Sequence, residues 1–310
     1  MRVSIILLAF LCISMIFAVS RVDADATVVV KVVPASQTVR GGENFSVNVT
    51  IENVTNMDAD QARLFFDPSA MNATEGIEGE FLQSGGSTVG FPSIINNIEG
   101  FAGFAFMLLE GTPVTGSGVL ATMNFNTSDD IEGAFNLNFA DVMIGTTAGY
   151  VPVDTYNGTI SIDNTPPIIS IQSPKEGGNY SSVSVRLNFT AEDLRSGVNE
   201  TAYNLDGTGN ITIAGNTTVR GLAPYDHSII VYAWDKVDEF GYCEVQFTVH
   251  PGDISDDLKV NIVDLAYLAD VFLSQSGDPD WNENADLNCD DTVNVHDLVI
   301  MANYFFTSYS

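Results

Sequence analysis

Two acidic segments near the C-terminus repeat one pattern of oxygen-bearing side chains with an offset of 33 residues. The first segment runs from Asp253 to Asp264 and the second from Asp286 to Asp297. In each, side-chain oxygens fall at positions 1, 3, 5, 9 and 12, which is the spacing of an EF-hand loop. Ca2+ is a hard cation that takes about six to eight oxygen ligands. The pattern therefore predicts two calcium loops.

The predicted ligands are the side chains at positions 1, 3, 5 and 12 and the carbonyl oxygen at position 7. They are Asp253, Ser255, Asp257, Lys259, Asp264, Asp286, Asn288, Asp290, Thr292 and Asp297. Position 9 often acts through a water molecule, and position 12 closes the shell from the first turn of the following helix. Because position 12 is Asp rather than the longer Glu, we expect the helix to sit closer to the ion.

Position 6 distinguishes the two loops. It usually holds glycine because the loop needs a positive φ there, but this chain has Leu258 and Asp291. Asp tolerates the left-handed region, whereas Leu costs about 1 kcal/mol or more. Ser255 is also a weaker ligand than Asn or Asp. We therefore predict that the Asp286–Asp297 loop binds calcium more tightly, and that the module is largely unfolded without calcium.

Each loop precedes a segment with helical apolar spacing. The apolar residues are Leu265, Leu268 and Phe272 in the first segment and Leu298, Met301 and Phe305 in the second. Two loop–helix units would pack these faces together. The duplication, the Asp at position 12, the connecting segment 277–286 and the position at the C-terminus resemble a dockerin of the archaeal type. Two copies in register argue against an exposed acidic tail with chance spacing.

The dockerin resemblance implies a bound Ca2+ and a protein partner. In dockerins, residues near loop positions 10 and 11 recognise the partner, and here these are Ile262, Val263, Val295 and His296. Apolar residues exposed at the start of a helix favour a hydrophobic contact. The competing interpretation places Ile262 and Val295 in the core of the module itself.

Residues 27–163 have the pattern of a β-sandwich. A β-branched run opens the region, and Phe45–Ile51 alternates apolar and polar residues. Several stretches resemble a cohesin domain: Arg40–Glu43, Ala62–Pro68, Gly116–Phe125 and Tyr156–Ile162. The resemblance implies a jelly-roll receiver domain for dockerins. A generic sandwich, related to carbohydrate-binding modules, is the alternative.

A second β unit is expected at residues 164–250, after the boundary at Pro166 and Pro167. Its segment Ala191–Val198 resembles the turn of Ig-like spacer repeats on prokaryotic surface proteins, and a unit of about 85 residues suits such a sandwich. The predicted fold class is therefore mainly β. It comprises a cohesin-like jelly roll and an Ig-like sandwich, followed by a small α-helical dockerin-like module at 251–310.

The net charge argues against some classes of partner, and the N-terminal segment predicts the compartment. A formal net charge of −29, from 40 acidic and 11 basic residues, argues against nucleic acid and anionic membranes as partners. Arg2, the apolar run Val3–Val19 and the small residues near Ala24 have the layout of a secretory signal peptide at 1–26. An uncleaved anchor is the alternative. We expect a secreted, extracellular or cell-surface protein with no membrane span after cleavage.

Two further patterns fit an exported chain. Asn-x-Ser/Thr triplets make a glycoprotein plausible, at Asn44, Asn48, Asn53, Asn72, Asn126, Asn157, Asn179, Asn188, Asn199, Asn210 and Asn216. Beyond the signal segment only Cys243 and Cys289 remain, so a disulfide framework is not implied. Two unrelated thiols are favoured, and a single bridge between modules is the alternative.

The favoured function is a non-catalytic scaffold or adaptor that binds calcium and joins cohesin- or dockerin-bearing proteins. Whether its two ends bind each other in self-association is left open. The alternative is a carbohydrate-binding or cell-surface matrix protein with a polysaccharide partner. That alternative predicts an exposed aromatic strip of Phe91, Phe101, Phe104 and Phe106. An enzyme is disfavoured because the histidines are scattered and no nucleophile elbow or zinc motif occurs.

Overall fold

The computed structural model describes residues 27–309, so the predicted signal peptide at 1–26 lies outside the described residues. The chain is 58% strand and 9% helical, which confirms the mainly β fold class. Within residues 27–309, no helix is long and apolar enough to cross a membrane.

The first β domain is organised around one long strand that bends. Its elements are β1 (Val28–Val33), β2 (Ser36–Arg40), β3 (Asn44–Phe65), β4 (Met71–Glu78), α1 (Glu80–Gln83), β5 (Gly86–Asn96), β6 (Phe101–Gly111), β7 (Val114–Thr127), β8 (Gly133–Thr146), β9 (Gly149–Val151), β10 (Val153–Tyr156) and β11 (Gly158–Asp163). Positive φ angles at Asn53 (61°) and Asn56 (53°) accompany register shifts in β3. The part of β3 before the bend pairs with β1 and β7, and the part after it pairs with β6 and β8.

One apolar core lies between the strands of this domain. Along the second half of β3, Ala62 and Leu64 are buried while Arg63 between them faces outward, as the two-residue period of a strand requires. Phe45 stacks on Phe125 with ring centroids 5.2 Å apart. At one edge of the sheet, β11 pairs with β8 on one side and with β2 on the other.

The second β domain consists of two sheets around a separate core. Its strands are β12 (Ile168–Ser173), β13 (Gly178–Tyr180), β14 (Ser184–Glu192), β15 (Val198–Leu205), β16 (Asn210–Ile213), β17 (Thr217–Arg220), β18 (Tyr225–Asp235) and β19 (Phe240–Val249). One sheet has the order β12-β14-β17, and the other has the order β13-β19-β18-β15-β16. Leu187 from the first sheet and Val231 from the second are fully buried in the shared core.

The C-terminal module has two helices, α2 (Ile262–Asp270) and α3 (Val295–Tyr304), and a short 3-10 helix (Glu283–Ala285). Its core includes Leu268 and Met301, one from each main helix. The expected helix faces are wrong in part, because Phe272 is 41% and Leu298 is 36% exposed. In both helices the buried face instead continues from the Asp at loop position 12. The residue four positions later, Leu268 or Met301, lies on that same face.

Candidate calcium loops and docking surfaces

The first loop folds around the carboxylates at its two ends. Asp253 accepts the backbone N–H groups of Asp257 at 3.1 Å and Leu258 at 2.8 Å. Asp264 accepts the N–H groups of loop positions 3 and 9 at 2.9 and 2.8 Å. One carboxylate oxygen each of Asp253, Asp257 and Asp264 lies within 4.8 Å of the other two. Positions 1, 5 and 12 therefore converge on one point, as the predicted ligand spacing requires.

The second loop repeats this geometry. Asp286 accepts the N–H groups of positions 5 and 6 at 3.1 and 2.9 Å. Asp297 accepts the N–H groups of positions 2 and 9, both at 2.8 Å. The two loops differ in that the carboxylate at position 12 takes its first N–H from position 3 in one and from position 2 in the other. The two segments are identical at five of twelve positions, and three of these four backbone hydrogen bonds are made from equivalent positions.

The Asn at loop position 9 is the N-cap of the helix that follows, and the Asp at position 12 lies in the first turn of that helix. The side chain of Asn261 accepts from the backbone of Val263 at 2.9 Å, and Asn294 accepts from His296 at 2.8 Å. Both helices have a complete capping box, in which the position-12 carboxylate accepts the N–H of the capping Asn. The acidic side chain also lies at the positive end of the helix dipole. These local preferences fix where each helix starts relative to its loop.

The backbone at position 6 is left-handed in both loops, as predicted. The φ angle is +65° at Leu258 and +69° at Asp291. Position 4 is left-handed as well, at Asp256 (58°) and Cys289 (54°). A branched apolar side chain at such a position stores strain of about 1 kcal/mol or more. The first loop therefore carries the penalty that the sequence predicts for it.

The remaining predicted ligands lie beside the carboxylates. In the first loop the Ser255 hydroxyl is 3.4 Å from an Asp253 oxygen, and the Lys259 N–H donates to the Asp257 carboxylate at 3.0 Å. In the second loop, the side chains at positions 3 and 7 both donate to Asp290, Asn288 at 2.9 Å and Thr292 at 2.6 Å. One ring nitrogen of His250 lies within 4.8 Å of a carboxylate oxygen of Asp253 and of Asp256. The sequence pattern missed this histidine because it precedes the loop.

Burial makes the ionised carboxylates of these loops costly. Asp264 and Asp297 are fully buried, and Asp253 and Asp286 are 5% and 2% exposed. Burial raises the pKa of Asp253 and of Asp297, and neighbouring carboxylates raise both further. Burial likewise raises the pKa of Asp286. A set of crowded, buried oxygen donors fits a hard divalent cation, which would offset both the desolvation and the mutual repulsion.

Only the second loop is shown in contact with cationic side chains of the second β domain within the described chain. Arg186 on β14 lies 2.7 Å from an Asp291 oxygen and 3.7 Å from an Asp286 oxygen. Arg220 donates to the backbone carbonyl of Asn288 at 2.8 Å. Sequence reasoning missed these contacts, because the arginines lie about a hundred and about seventy residues before the loop. They place a positive charge next to the position-1 carboxylate, where it opposes a bound cation.

The predicted partner-binding residues are exposed with the second domain in place. Ile262 is 69%, Val263 is 44% and Val295 is 56% exposed, and His296 is also exposed. The competing interpretation, in which Ile262 and Val295 belong to the core of the module, is therefore wrong. They lie at the first turn of α2 and α3, so the duplicated sequence presents two similar apolar edges.

A second apolar surface covers the outer face of the sheet in the first domain. Across β8, β3, β6 and β5, one row consists of Met143, Gln61, Ala105 and Phe91, and the adjacent row consists of Gly145, Ala59, Met107 and Val89. We call these two rows the receiver face. Phe91 is 67% and Met107 is 52% exposed, and a depression of about 520 Å³ lies between them. Since β6 is apolar on both sides, the sequence interpretation assigned this stretch to core strands alone.

The aromatic strip that carbohydrate binding predicts is absent from the described part of the first domain. Phe104 and Phe106 are 2% and 5% exposed and stack on each other in the core. Phe101 is half-buried beneath the guanidinium of Arg63, 4.8 Å from the ring centroid. Phe91 alone of the four faces solvent freely. The four phenylalanines therefore do not form the exposed strip that the carbohydrate-binding alternative predicts, and Phe104 and Phe106 are core residues, as their apolar surroundings indicate.

Neither of the two cysteines in residues 27–309 forms a disulfide. Cys243 and Cys289 are both free thiols. The Cys289 sulfur lies 2.9 Å from the carbonyl oxygen of Ser184, which is part of the contact between the second domain and the second loop. The expectation of two unrelated thiols agrees with this geometry.

Comparison with known families matches residues 30–162 to the cohesin domain and residues 251–306 to the dockerin type I domain. The chain therefore has a cohesin–dockerin architecture. Halomucin from Haloquadratum walsbyi is 28% identical over 144 residues, which is 43% of this chain and 2% of Halomucin. The chain thus spans a small part of the length of this curated relative.

Solved structures of cohesins with low sequence identity cover just under half of this chain. A non-cellulosomal cohesin from Archaeoglobus fulgidus is 19% identical, covers 45% of this chain and 93% of its own, and has a TM-score of 0.37. The third cohesin of ScaC from Acetivibrio cellulolyticus, solved with the ScaB dockerin, is 22% identical over 44% of this chain and 99% of its own, with a TM-score of 0.38. A cohesin–dockerin complex from Clostridium thermocellum is 15% identical over 44% of this chain and 100% of that chain, with a TM-score of 0.39.

Proposed function

We propose that this chain is an exported, calcium-dependent connector that receives one protein at its cohesin domain and docks onto another through its dockerin module. The observation that carries the proposal is that one chain holds both kinds of assembly domain, at 30–162 and 251–306. Neither kind is catalytic, which supports a scaffold or adaptor rather than an enzyme.

The receiver face supplies a surface for the first partner. Large apolar side chains at its rim, such as Phe91, Met107 and Met143, surround a floor of small residues that includes Ala105. Contiguous exposed apolar surface of this kind marks a protein-binding site more often than a solvated sheet face. The small floor residues leave room for side chains of an incoming helix or loop.

The exposed first turns of α2 and α3 supply the second surface. Ile262 and Val295 occupy equivalent positions in the two repeats, and each is followed by a second exposed residue, Val263 or His296. An apolar residue whose side chain is more than half exposed gains free energy when a partner covers it. Either edge, or both, can therefore contact a cohesin.

Calcium dependence follows from the loops that position those edges. The capping boxes of Asn261–Asp264 and Asn294–Asp297 tie each helix start to its loop. When bound, Ca2+ would neutralise carboxylates that are otherwise buried and repel one another. Asp253 and Asp286 hold the start of each loop through two backbone N–H groups, so the presented edges depend on the folded loops.

Export is supported by the layout of residues 1–26, and glycosylation by the Asn-x-Ser/Thr triplets. In the described structure, none of the asparagines of those triplets is buried. We therefore propose an extracellular or cell-surface location for the connector.

Calcium-dependent capture tests the proposal. The chain lacking residues 1–26 is immobilised and exposed to proteins secreted by the organism that makes it, with calcium or with a chelator. We expect cohesin- and dockerin-bearing proteins to bind in calcium only. Met107→Asp should abolish capture at the first domain, and the double variant Ile262→Asp and Val295→Asp should abolish capture at the module.

The matched control is Leu194→Asp, which places the same charge on a fully exposed apolar residue of the second domain. It should leave both kinds of capture unchanged. A partner that binds both the Met107→Asp variant and the double variant of Ile262 and Val295 would contradict the proposal. Self-association that both variants abolish would identify the partner as a second copy of the chain.

A further inference from the structure

Three aspartates from distant parts of the chain meet at the junction of the first and second β domains. Asp163 is the last residue of β11 in the first domain, Asp193 lies just after β14, and Asp235 ends β18. One carboxylate oxygen of each lies within 4.8 Å of the other two. We propose that these three residues bind a divalent cation, Ca2+, that is separate from the two dockerin loops.

Burial is the first argument for a bound cation. Asp163 and Asp235 are both 0% exposed, and Asp193 is half-buried. Three like charges this close, two of them shielded from water, repel one another and lose hydration. A cation among them removes both costs, and carboxylate oxygens are the ligands that Ca2+ prefers.

An unsatisfied oxygen is the second and independent argument. Oδ1 of Asp235 accepts the backbone N–H groups of Val237 at 2.9 Å and Glu239 at 2.8 Å. Oδ2 of the same fully buried carboxylate has no hydrogen-bond partner among residues 27–309. Buried carboxylate oxygens are almost always paired, so this oxygen requires a ligand of its own. Its place in the cluster assigns that ligand to the same cation.

The guanidinium of Arg195 does not take the place of a bound cation. The Nε atom of Arg195 lies 3.8 Å from Oδ1 of Asp163, beyond hydrogen-bond distance, and the same guanidinium reaches toward Glu132 at 3.9 Å. Its side chain is 36% exposed. The N–H of Ser196 holds the other Asp163 oxygen at 2.8 Å. These contacts orient Asp163 toward the cluster and leave the oxygen of Asp235 unpartnered.

The site would fix the angle between two domains. Asp163 precedes the linker residue Asn164, which accepts the N–H of Gly41 at 2.7 Å and donates to the carbonyl of Asp129 at 2.9 Å. The linker is thus bound to the first domain, while the other two ligands belong to the second. A cation that joins them ties the domains together at the point where the chain crosses.

Counting bound ions tests the site in the otherwise intact chain. The chain lacking residues 1–26 is titrated with Ca2+ alone, and the ions bound per chain are counted by native mass spectrometry and equilibrium dialysis. We expect Asp235→Asn to bind one Ca2+ fewer than the parent chain, whatever number the dockerin loops hold. Asn keeps an oxygen for the N–H groups of Val237 and Glu239, so the turn should be retained.

Asp238→Asn is the matched control, because Asp238 is an exposed residue of the same turn and lies outside the cluster. It should bind as many ions as the parent chain. Asp193→Asn is the second variant in case Asp235→Asn fails to fold, as judged by circular dichroism, and it should also lose one ion. An unchanged count in a folded variant of either aspartate would overturn the proposal, and so would a site that takes Mg2+ but not Ca2+.

Discussion

Replacing Arg186 with Gln should strengthen calcium binding at the second dockerin loop. The guanidinium lies 3.7 Å from an Asp286 oxygen, and its hydrogen bond to Asp291 raises the pKa of Arg186, so the side chain stays cationic. A calcium ion about 2.4 Å beyond that oxygen would lie about 6 Å from the guanidinium. Since the arginine side chain is 40% exposed, water screens most of this repulsion. About 1–2 kcal/mol remains, or about a 5- to 30-fold change in Kd.

The assay is calorimetric calcium titration of the chain lacking residues 1–26, with Asp264→Asn to disable the first loop and Asp235→Asn to remove the proposed interdomain site. Arg63→Gln is the control, because it removes the same charge from the first domain, where Arg63 pairs with Asp141 at 3.3 Å. The control should leave Kd unchanged. If Arg186→Gln binds calcium with an equal or weaker affinity, the inferred repulsion does not govern this loop.

Three further perturbations have defined outcomes. Leu258→Gly should tighten calcium binding at the first loop by about 1 kcal/mol, because φ is +65° at that position. Calcium titration with Asp297→Asn present measures this change in affinity. Weaker binding by the glycine variant would contradict the strain argument. Asp60→Asn should remove a pH dependence of the first domain: burial and then Glu78 raise the pKa of Asp60 to about 8, so the folded state holds a proton that the unfolded state releases. Stability should thus fall by up to about 1.4 kcal/mol per pH unit between about pH 4 and 8, and urea unfolding that shows equal slopes with and without Asp60→Asn would refute this. Removing calcium should destabilise the dockerin module more at neutral than at acidic pH. Burial raises the pKa values of Asp253 and Asp286, so protonation at low pH relieves the repulsion between carboxylates. Circular dichroism and thermal melts with a chelator measure the loss of stability, and a larger loss in acid would contradict this prediction.

The backbone geometry of the two candidate calcium loops could be predicted from the sequence because it is local. Ligand spacing, the capping Asn and the left-handed position 6 all lie within twelve consecutive residues, and the structure has the positive φ at Leu258 and Asp291. The helix faces were predicted less well. The buried face is set by Asp264 and Asp297, which must point into their loops, so the residue four positions later is buried and Leu298 is turned outward.

Features formed by distant residues could not be predicted in this way. Asp163, Asp193 and Asp235 each occupy an ordinary strand end or turn, and only the packing of two domains brings them together. Arg186 likewise meets the second loop through tertiary structure alone. The receiver face could not be predicted for another reason. β6 carries apolar residues on both of its sides, whereas a sequence pattern distinguishes core from surface only when one side of the strand is apolar.

The second β domain links the two assembly domains through one continuous strand. β18 begins at Tyr225, whose ring packs edge-on against Tyr309 of the dockerin module at 6.1 Å, and ends at Asp235 in the aspartate cluster beside the cohesin domain. At about 3.3 Å per residue, a strand of 11 residues spans about 36 Å. Both ends of this strand adjoin proposed cation sites, since Tyr309 donates its backbone N–H to the carbonyl oxygen of Leu258 in the first loop at 2.8 Å. Calcium would therefore govern not only whether the module can dock but also how rigidly the two docking surfaces are held apart.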